Sequence, residues 1–116
     1  MKKSISVVMP VRNAQLTLTD QVSRVLEVLP EMTHQFELLI VDDGSTDGTD
    51  EIGHELPHMY PQVRFIRHTE QKGSRAAVGT GMNSASAEIV LVEGASASYE
   101  GNPAKMSPLN IPESNA

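Results

Sequence analysis

The residues best suited to chemistry in this sequence are a few acidic and basic side chains that lie close after apolar runs or glycines. An ionised carboxylate accepts hydrogen bonds or ligates a cation, and a guanidinium pairs with an anion. The charged candidates are Arg12, Asp42, Asp43 and Arg75, and Pro10 and Val11, which directly precede Arg12, complete the candidate set. On its own, Asp-Asp-Gly-Ser at residues 42–45 is typical of a turn that begins a helix. What these groups bind therefore depends on the elements that bring them together.

Four apolar runs rich in β-branched residues predict buried strands. They cover residues 5–9, 36–41, 63–67 and 88–92. In the third run Val63 and Phe65 alternate with Arg64, which indicates an edge strand with one solvated face.

Three helices are predicted between these strands. Pro30 is expected to end the first, because a proline disfavours helical geometry in the residue before it. Asp47 is a good N-cap for the second, which Pro57 and Pro61 are expected to keep short. In the third, Gly79 and Gly81 are expected to allow close packing of the helix on the sheet.

The alternation of strands and helices with short links favours an α/β fold. We expect a Rossmann-like three-layer α/β/α domain over residues 1–94, with a mainly parallel sheet of strand order 3-2-1-4. Residues 95–116 hold three prolines and no apolar period. They are expected to form an extended tail, or one swapped with another chain.

The predicted topology also selects a binding crevice. In open parallel sheets, ligands bind beyond the carboxyl ends of the strands, near the point where the strand order reverses. This rule selects residues 10–13, 42–47 and 93–96, and Arg75 leans toward the same crevice from the start of the third helix. Topology alone does not identify the ligand.

Two segments resemble the N-terminal half of the family-2 glycosyltransferases. They are residues 7–13 and, more specifically, residues 41–49; Gly73, Arg75 and the strand at 88–90 agree with the family too. The resemblance covers residues 4 to about 96. It implies the first half of the nucleotide-diphospho-sugar transferase fold, binding of a nucleoside-diphosphate sugar and, if the protein is active, glycosyl transfer with inversion.

Carried onto this chain, the family's nucleobase contacts fall on residues 10–12. The resemblance implies that Asp43, beside Asp42, accepts hydrogen bonds from the base or the ribose. An ionised carboxylate suits that role because it only accepts, whereas uracil N–H and ribose hydroxyl groups donate. Arg75 matches a basic residue near the nucleotide and is expected to pair with a diphosphate oxygen.

The chain departs from the family where an Asp-x-Asp motif normally holds a divalent cation. The matching segment begins Val92-Glu93-Gly94-Ala95, and Ala95 has no metal-ligating group. Glu93 is left as the candidate ligand for Mg²⁺ or Mn²⁺, since a site with one carboxylate and substrate phosphates is feasible. The family takes its catalytic base from its second half, for which this sequence shows no matching segment. We therefore assign no catalytic residue and expect incomplete catalytic machinery.

Two other hypotheses stay open. The chain could be a non-catalytic homodimeric or partner-binding remnant of such an enzyme, since open sheet edges and apolar faces tend to be covered by association. A homodimer is the expected form under this hypothesis. Alternatively, the sequence is a truncated piece of a longer gene.

The amino-acid composition excludes several classes of binding partner. The formal charge of -6 argues against nucleic acids and anionic membranes. The absence of cysteine excludes disulfides and thiolate metal sites, and no apolar run reaches the roughly 18 residues that a membrane span needs. We expect a cytoplasmic protein that binds a small molecule.

The histidines provide one competing motif. Residues 54–58 match H-E-x-x-H, the zinc-protease pattern. Pro57 is expected to break the helix that such a site requires, so no zinc site is predicted. His34 and His68 are expected to face solvent.

Overall fold

The computed structural model describes residues 3–93 and the backbone of residues 106–108. The strands are β1 (Ile5–Val11), β2 (Phe36–Asp43), β3 (Val63–His68), β4 (Ile89–Val92) and β5 (Met106–Pro108). The helices are α1 (Leu18–Met32), α2 (Thr49–Met59) and α3 (Ser74–Ser84). None of these three helices is long and apolar enough to cross a membrane.

The five strands form one parallel sheet in the order β3-β2-β1-β4-β5. The predicted order 3-2-1-4 is confirmed, and β3 is an edge strand of the sheet, as its alternating pattern predicts. Within the predicted tail, β5 pairs with β4 of the same chain, Val90 lying opposite Met106. The other tail residues, 95–105 and 109–116, lie outside the described residues, as does residue 94.

The sheet separates two apolar layers, and alternate residues of β1 enter each of them. Val7 and Met9 pack with the buried sides of α1 and α2, whereas Val8 packs with that of α3. All three side chains are fully buried. The three-layer α/β/α arrangement expected from the sequence is therefore confirmed.

One helix continues beyond the proline that was expected to stop it. The prediction that Pro30 ends α1 is wrong, because α1 extends to Met32. Pro57 lies inside α2, which is 11 residues long and ends at Met59, before Pro61. Both prolines fall in the last turn, where a missing N–H removes one hydrogen bond and little helix follows. The residue before each proline, Leu29 or Leu56, is buried in the core and anchors that turn.

Of the two glycines expected to allow close packing of α3, only one does so. A Cβ atom built on Gly81 would clash with Cγ1 of Val8 on β1, far inside contact distance. A Cβ atom on Gly79 would meet nothing within 4 Å. The expectation is confirmed for Gly81 and wrong for Gly79, which lies away from the sheet-facing side of the helix.

Candidate functional site

The first three predicted site residues lie at the carboxyl end of β1. Pro10 is half-buried and Val11 buried, both within the strand, and Arg12 is exposed at the start of the following loop. Val11 lies opposite Asp42 in the parallel register with β2. The sheet therefore brings these residues to the same edge as the acidic pair, as the topology predicts.

The loops after β1 and β2 are joined by a reciprocal pair of hydrogen bonds. The N–H of Asn13 donates to Oγ of Ser45 at 2.8 Å, and the N–H of Thr46 donates to Oδ1 of Asn13, also at 2.8 Å. Asn13 has a φ of 53°, a left-handed conformation that asparagine tolerates better than most residues. Asn13 is thus the central residue of the connection between the loops.

The same two loops are joined again further along. The N–H of Ala14 donates to Oγ1 of Thr49 at 2.8 Å, and that of Gln15 to Oδ2 of Asp47 at 3.2 Å. Oε1 of Gln15 accepts from the N–H of Gly48 at 3.0 Å. Most of the polar groups in the segment 45–49 are therefore used to fix the shape of the loop after β1.

Asp47 was predicted to be the N-cap of the second helix, but α2 begins at Thr49 with Gly48 at the N-cap position. Oδ1 of Asp47 instead accepts from both the N–H and the hydroxyl of Thr49, at 2.9 and 2.5 Å. The hydrogen bond from the Thr49 hydroxyl is the main cause that lowers the pKa of Asp47 below its ordinary value. Asp47 therefore holds the turn that leads into α2.

Asp42 and Asp43 point to opposite faces of the sheet, as consecutive residues of a strand must. The Asp42 side chain is fully buried, and its Oδ1 accepts from the N–H and the hydroxyl of Ser45 at 3.0 and 2.5 Å. Its Oδ2 has no hydrogen-bond partner in the described part of the chain but lies 3.4 Å from Nε of Arg67. No oxygen of this carboxylate is accessible to a ligand in this conformation.

Asp43 accepts three hydrogen bonds from the segment at the end of β3 and after it. Its Oδ1 lies 2.8 Å from the N–H nitrogen of Lys72 and 2.9 Å from Nδ1 of His68, and its Oδ2 lies 2.8 Å from the N–H nitrogen of Gly73. Burial raises the pKa of this carboxyl, but the hydrogen bonds from His68, Lys72 and Gly73 outweigh that effect and leave the pKa below its ordinary value. Asp43 is thus held as an ionised acceptor.

His68 was expected to face solvent, and that prediction is wrong. His68 is 9% exposed, and its Nε2 lies 2.8 Å from Oγ1 of Thr80 on α3. His34, by contrast, is exposed as expected. The available signal was the parallel register, in which His68 lies opposite Asp43 once β3 is aligned with β2. The predicted strand ends at Arg67, one residue before His68, so the sequence pattern does not predict this pairing.

The two predicted cationic residues, Arg12 and Arg75, are both exposed at the same end of the sheet. Arg75 is exposed in the first turn of α3, two residues after Gly73, whose N–H contacts Asp43. Neither Arg75 nor Arg12 makes a hydrogen bond or ion pair within residues 3–93. Both guanidinium groups are therefore available to a ligand anion or an acceptor edge.

The donor set does not fit a metal ion held by the protein alone. Within residues 3–93, no group of three or more His, Asp or Glu side chains is placed to hold a cation. Glu93, the candidate ligand, is half-buried directly after β4, where its N–H donates to the carbonyl oxygen of Val8 at 2.9 Å. We assign no chemical step to a metal.

The H-E-x-x-H segment, residues 54–58, lies on an unbroken helix. The prediction that Pro57 breaks this helix is therefore wrong. His54 makes other contacts: its ring packs edge-on against Phe65, with ring centroids 4.8 Å apart, and its Nδ1 lies 2.8 Å from the carbonyl oxygen of Asp50. His58 is half-buried one turn later. The contacts of His54 tie α2 to β3.

Comparison with known sequences identifies the family. Residues 6–94 match the family model described as "Glycosyl transferase family 2". Among curated relatives, the uncharacterized glycosyltransferase YkcC of Bacillus subtilis is 33% identical over 87 residues, covering 75% of this chain and 27% of the relative. A dolichol-phosphate mannosyltransferase of Pyrococcus furiosus is 36% identical over 88 residues, covering 76% of this chain and 24% of the relative. The chain thus spans about a quarter of their length.

Solved structures show the same fold. The mannosyltransferase PcManGT of Pyrobaculum calidifontis, in complex with GDP-Man and Mn²⁺, superposes with a TM-score of 0.69 at 24% identity and covers 78% of this chain and 26% of its own. TarS of S. aureus, residues 1-349, gives a TM-score of 0.65 at 26% identity, with coverages of 79% and 26%. The likeness confirms the nucleotide-sugar transferase fold expected from the sequence.

Proposed function

Because the chain belongs to glycosyl transferase family 2, we propose that residues 3–93 bind a nucleoside-diphosphate sugar beyond the carboxyl ends of β1 and β2. The observation that carries this proposal is the arrangement around Gly73. Its N–H donates to Asp43 at 2.8 Å, and Arg75 follows in the first turn of α3. A fixed acceptor and a cation that is unpaired within residues 3–93 therefore share one site.

Each predicted residue then has a role. Pro10, Val11 and Arg12 border the nucleobase, Asp43 accepts a hydrogen bond from the base or the ribose, and Arg75 pairs with a diphosphate oxygen. Asp42 departs from the predicted role: because its carboxylate is fully buried against Ser45, we propose that it shapes the loop after β2 without touching the nucleotide.

The proposed chemistry is glycosyl transfer with inversion, completed by groups outside residues 3–93. In such a reaction a nucleoside diphosphate departs, and negative charge builds up on its oxygens. Arg75, exposed and unpaired within the described residues, is suited to neutralise part of that charge. We assign no catalytic base, since Asp42 and Asp43 are held by internal hydrogen bonds.

The known neighbour supports the ligand class. PcManGT, which shares the fold at 24% identity, was solved with GDP-Man and Mn²⁺. Within residues 3–93, Glu93 is the one candidate metal ligand, so Mg²⁺ or Mn²⁺ would need to be held mainly by the sugar diphosphate. We propose that binding of the nucleotide part does not require the cation.

Isothermal titration calorimetry with UDP, GDP and their sugars, each with and without Mn²⁺, tests the proposal. We expect saturable binding of one nucleotide series, with a modest effect of Mn²⁺. If no nucleotide binds at millimolar concentration while the protein is folded by circular dichroism, the proposed function is wrong.

A second candidate is a non-catalytic module that associates with itself. The observation that favours it is exposed apolar surface: Leu16 is 94%, Met59 58% and Val28 43% exposed. A contiguous apolar patch tends to be covered by a partner, so a homodimer would bury these side chains together. Sedimentation velocity at tens of micromolar protein distinguishes the two forms, and a single monomeric species counts against the homodimer.

A further inference from the structure

A chain of hydrogen bonds crosses the site beneath the proposed nucleotide pocket. Oγ1 of Thr80 lies 2.8 Å from Nε2 of His68, and Nδ1 of His68 lies 2.9 Å from Oδ1 of Asp43. The three residues come from α3, β3 and β2. An ionised carboxylate only accepts hydrogen bonds, so the proton of the imidazole must lie on Nδ1. Nε2 of a neutral His68 then accepts from the Thr80 hydroxyl.

The donors around Asp43 leave its carboxylate little capacity to accept further hydrogen bonds. A carboxylate has about four acceptor positions, two on each oxygen. His68 and Lys72 occupy both positions of Oδ1, and Gly73 occupies one of the two on Oδ2. One acceptor position remains, on Oδ2, and the side chain is still 6% exposed.

We propose that His68 is a positioning residue that fixes the Asp43 carboxylate so that one acceptor position on Oδ2 is left for a single N–H or O–H donor of the ligand. This inference rests on the nucleotide-binding function proposed above. It specifies the chemistry at that contact: the imide N–H of a uracil or thymine base, or one ribose hydroxyl. The adjacent N1–H and N2–H₂ donors of guanine need two neighbouring acceptors and fit this carboxylate poorly.

A purely structural role for His68 would give a different result. If His68 only filled space between β3 and α3, any side chain of similar volume would preserve ligand binding, and the identity of the protonated nitrogen would be irrelevant. A positioning role requires an N–H directed at Asp43. The two roles are separated by substitutions that keep a donor at one imidazole nitrogen and remove it at the other.

His68→Asn places an amide N–H near the position of Nδ1, whereas His68→Gln places it near Nε2. We expect His68→Asn to bind UDP within about 3-fold of the parent and His68→Gln to bind about 10-fold or more weakly, the loss of one charge-assisted hydrogen bond. His34→Gln, at an exposed histidine, is the matched control and should leave affinity unchanged. The affinities are measured by calorimetry.

NMR gives a readout that does not depend on the ligand. The imidazole ¹⁵N shifts of the parent should show that Nδ1 of His68 carries a proton, as its contact with Asp43 requires. The amide protons of Lys72 and Gly73 should shift in His68→Gln, because Asp43 reorients, while the rest of the spectrum confirms a folded chain. Thr80→Val is the second variant: it removes the far partner of His68 and should shift the same two amides less.

A comparison of two nucleotides identifies which group of the ligand donates to Asp43. UDP and CDP both carry ribose hydroxyls, but cytosine has no imide N–H. If UDP binds much more tightly than CDP, and this difference is smaller in His68→Gln, the donor is the imide N–H. If UDP and CDP bind equally, and both bind more weakly to His68→Gln, the donor is a ribose hydroxyl.

Two outcomes overturn the inference: a protonated Nε2 with an unprotonated Nδ1, or equal UDP affinity of the two His68 variants. GDP binding tighter than UDP excludes the imide as the donor and leaves the ribose hydroxyl. If the parent binds no nucleotide at all but shows the expected tautomer and amide shifts, the proposed function fails, while the fixed geometry of Asp43 stands.

Discussion

Oδ2 of Asp42 lies 3.4 Å from Nε of Arg67, and within the described residues this buried oxygen has no hydrogen bond. Arg67 also donates to the carbonyl oxygen of Ser45 at 3.2 Å and lies 3.9 Å from Oδ2 of Asp50. One cation therefore joins the end of β3 to the loop after β2 and to the first turn of α2.

Replacing this cation should destabilise the protein. Arg67→Met leaves the fully buried Asp42 carboxylate without its positive neighbour, and we expect a loss of about 1–3 kcal/mol in the free energy of unfolding. The lower part of the usual range applies because Arg67 is 34% exposed, so water replaces part of the interaction. Urea unfolding followed by circular dichroism measures the loss.

The matched control is Arg64→Met on the same strand. Arg64 pairs with Glu37 at 2.9 Å, but its side chain is 47% exposed, so the expected loss is below about 1 kcal/mol. Equal losses for the two variants would show that the buried charge of Asp42 does not depend on Arg67.

Two glycines of α3 should respond to alanine in opposite ways. Gly81→Ala forces a Cβ atom against Val8 and should destabilise the protein by about 1–3 kcal/mol. Gly79→Ala meets open space within the helix and should stabilise it by about 0.5–1 kcal/mol, since alanine loses less conformational entropy on folding. Thermal unfolding should show a melting temperature below that of the parent for Gly81→Ala and above it for Gly79→Ala. A destabilised Gly79→Ala variant would contradict the packing of α3 described above.

Acid should remove a stabilising contribution from Asp43. Its folded-state pKa is lowered from an ordinary value of 3.8, so the contribution is complete above that pH and is lost as pH falls through the lowered pKa. Asp43→Asn should therefore be less stable than the parent at neutral pH, with a difference that shrinks at acidic pH. Urea midpoints measured from pH 7 to about 2.5 give this difference.

Glu27→Gln, at an exposed position on α1, corrects for the loss of one negative charge. Glu37 contributes to the same acid loss in both proteins. Burial raises its pKa, but hydrogen bonds from Ser6, Ser86 and Arg64 outweigh this and lower it from 4.5. If the difference between the parent and the Asp43→Asn variant stays constant down to the lowest pH, the hydrogen bonds to Asp43 do not lower its pKa.

The nucleotide pocket can be probed without disturbing the fold through its exposed arginines. Arg75→Ala should weaken UDP binding about 10-fold through the lost charge-assisted contact and leave uridine binding unchanged, because uridine has no diphosphate. Arg12→Ala should weaken both ligands alike. Stability should stay within about 0.5 kcal/mol of the parent in both variants.

Arg24→Ala, an exposed arginine on α1, controls for net charge. Equal effects of Arg75→Ala on UDP and uridine would place Arg75 away from the diphosphate.

The strands and their order followed from the sequence because short apolar runs rich in β-branched residues, such as residues 5–9, are typical of strands buried on both faces. Helix ends were harder to predict. At Pro30, the packing of Leu29 outweighs a local preference that acts on a single turn. Tertiary context, which no local rule contains, decided that boundary.

The candidate site could also be predicted only in part from the sequence. Its position at the strand ends follows from topology, but the orientation of each side chain depends on register and strand pleat. Asp42 and Asp43 are neighbours and therefore point to opposite faces, so only one of them was ever available to the crevice. His68 belonged to the site because it lies opposite Asp43, and a single strand read by itself does not reveal its partner.

The hydrogen bonds that Asn13, Gln15, Ser45 and Asp47 make between the two loops have a thermodynamic consequence. Because the loops already restrain each other, little of the polypeptide has to be ordered when a ligand arrives. The entropic penalty of association then comes mainly from the rotatable bonds of the ligand itself, and the release of water offsets part of it. Even a small fragment such as a free nucleoside should accordingly find a pocket that is ready-made.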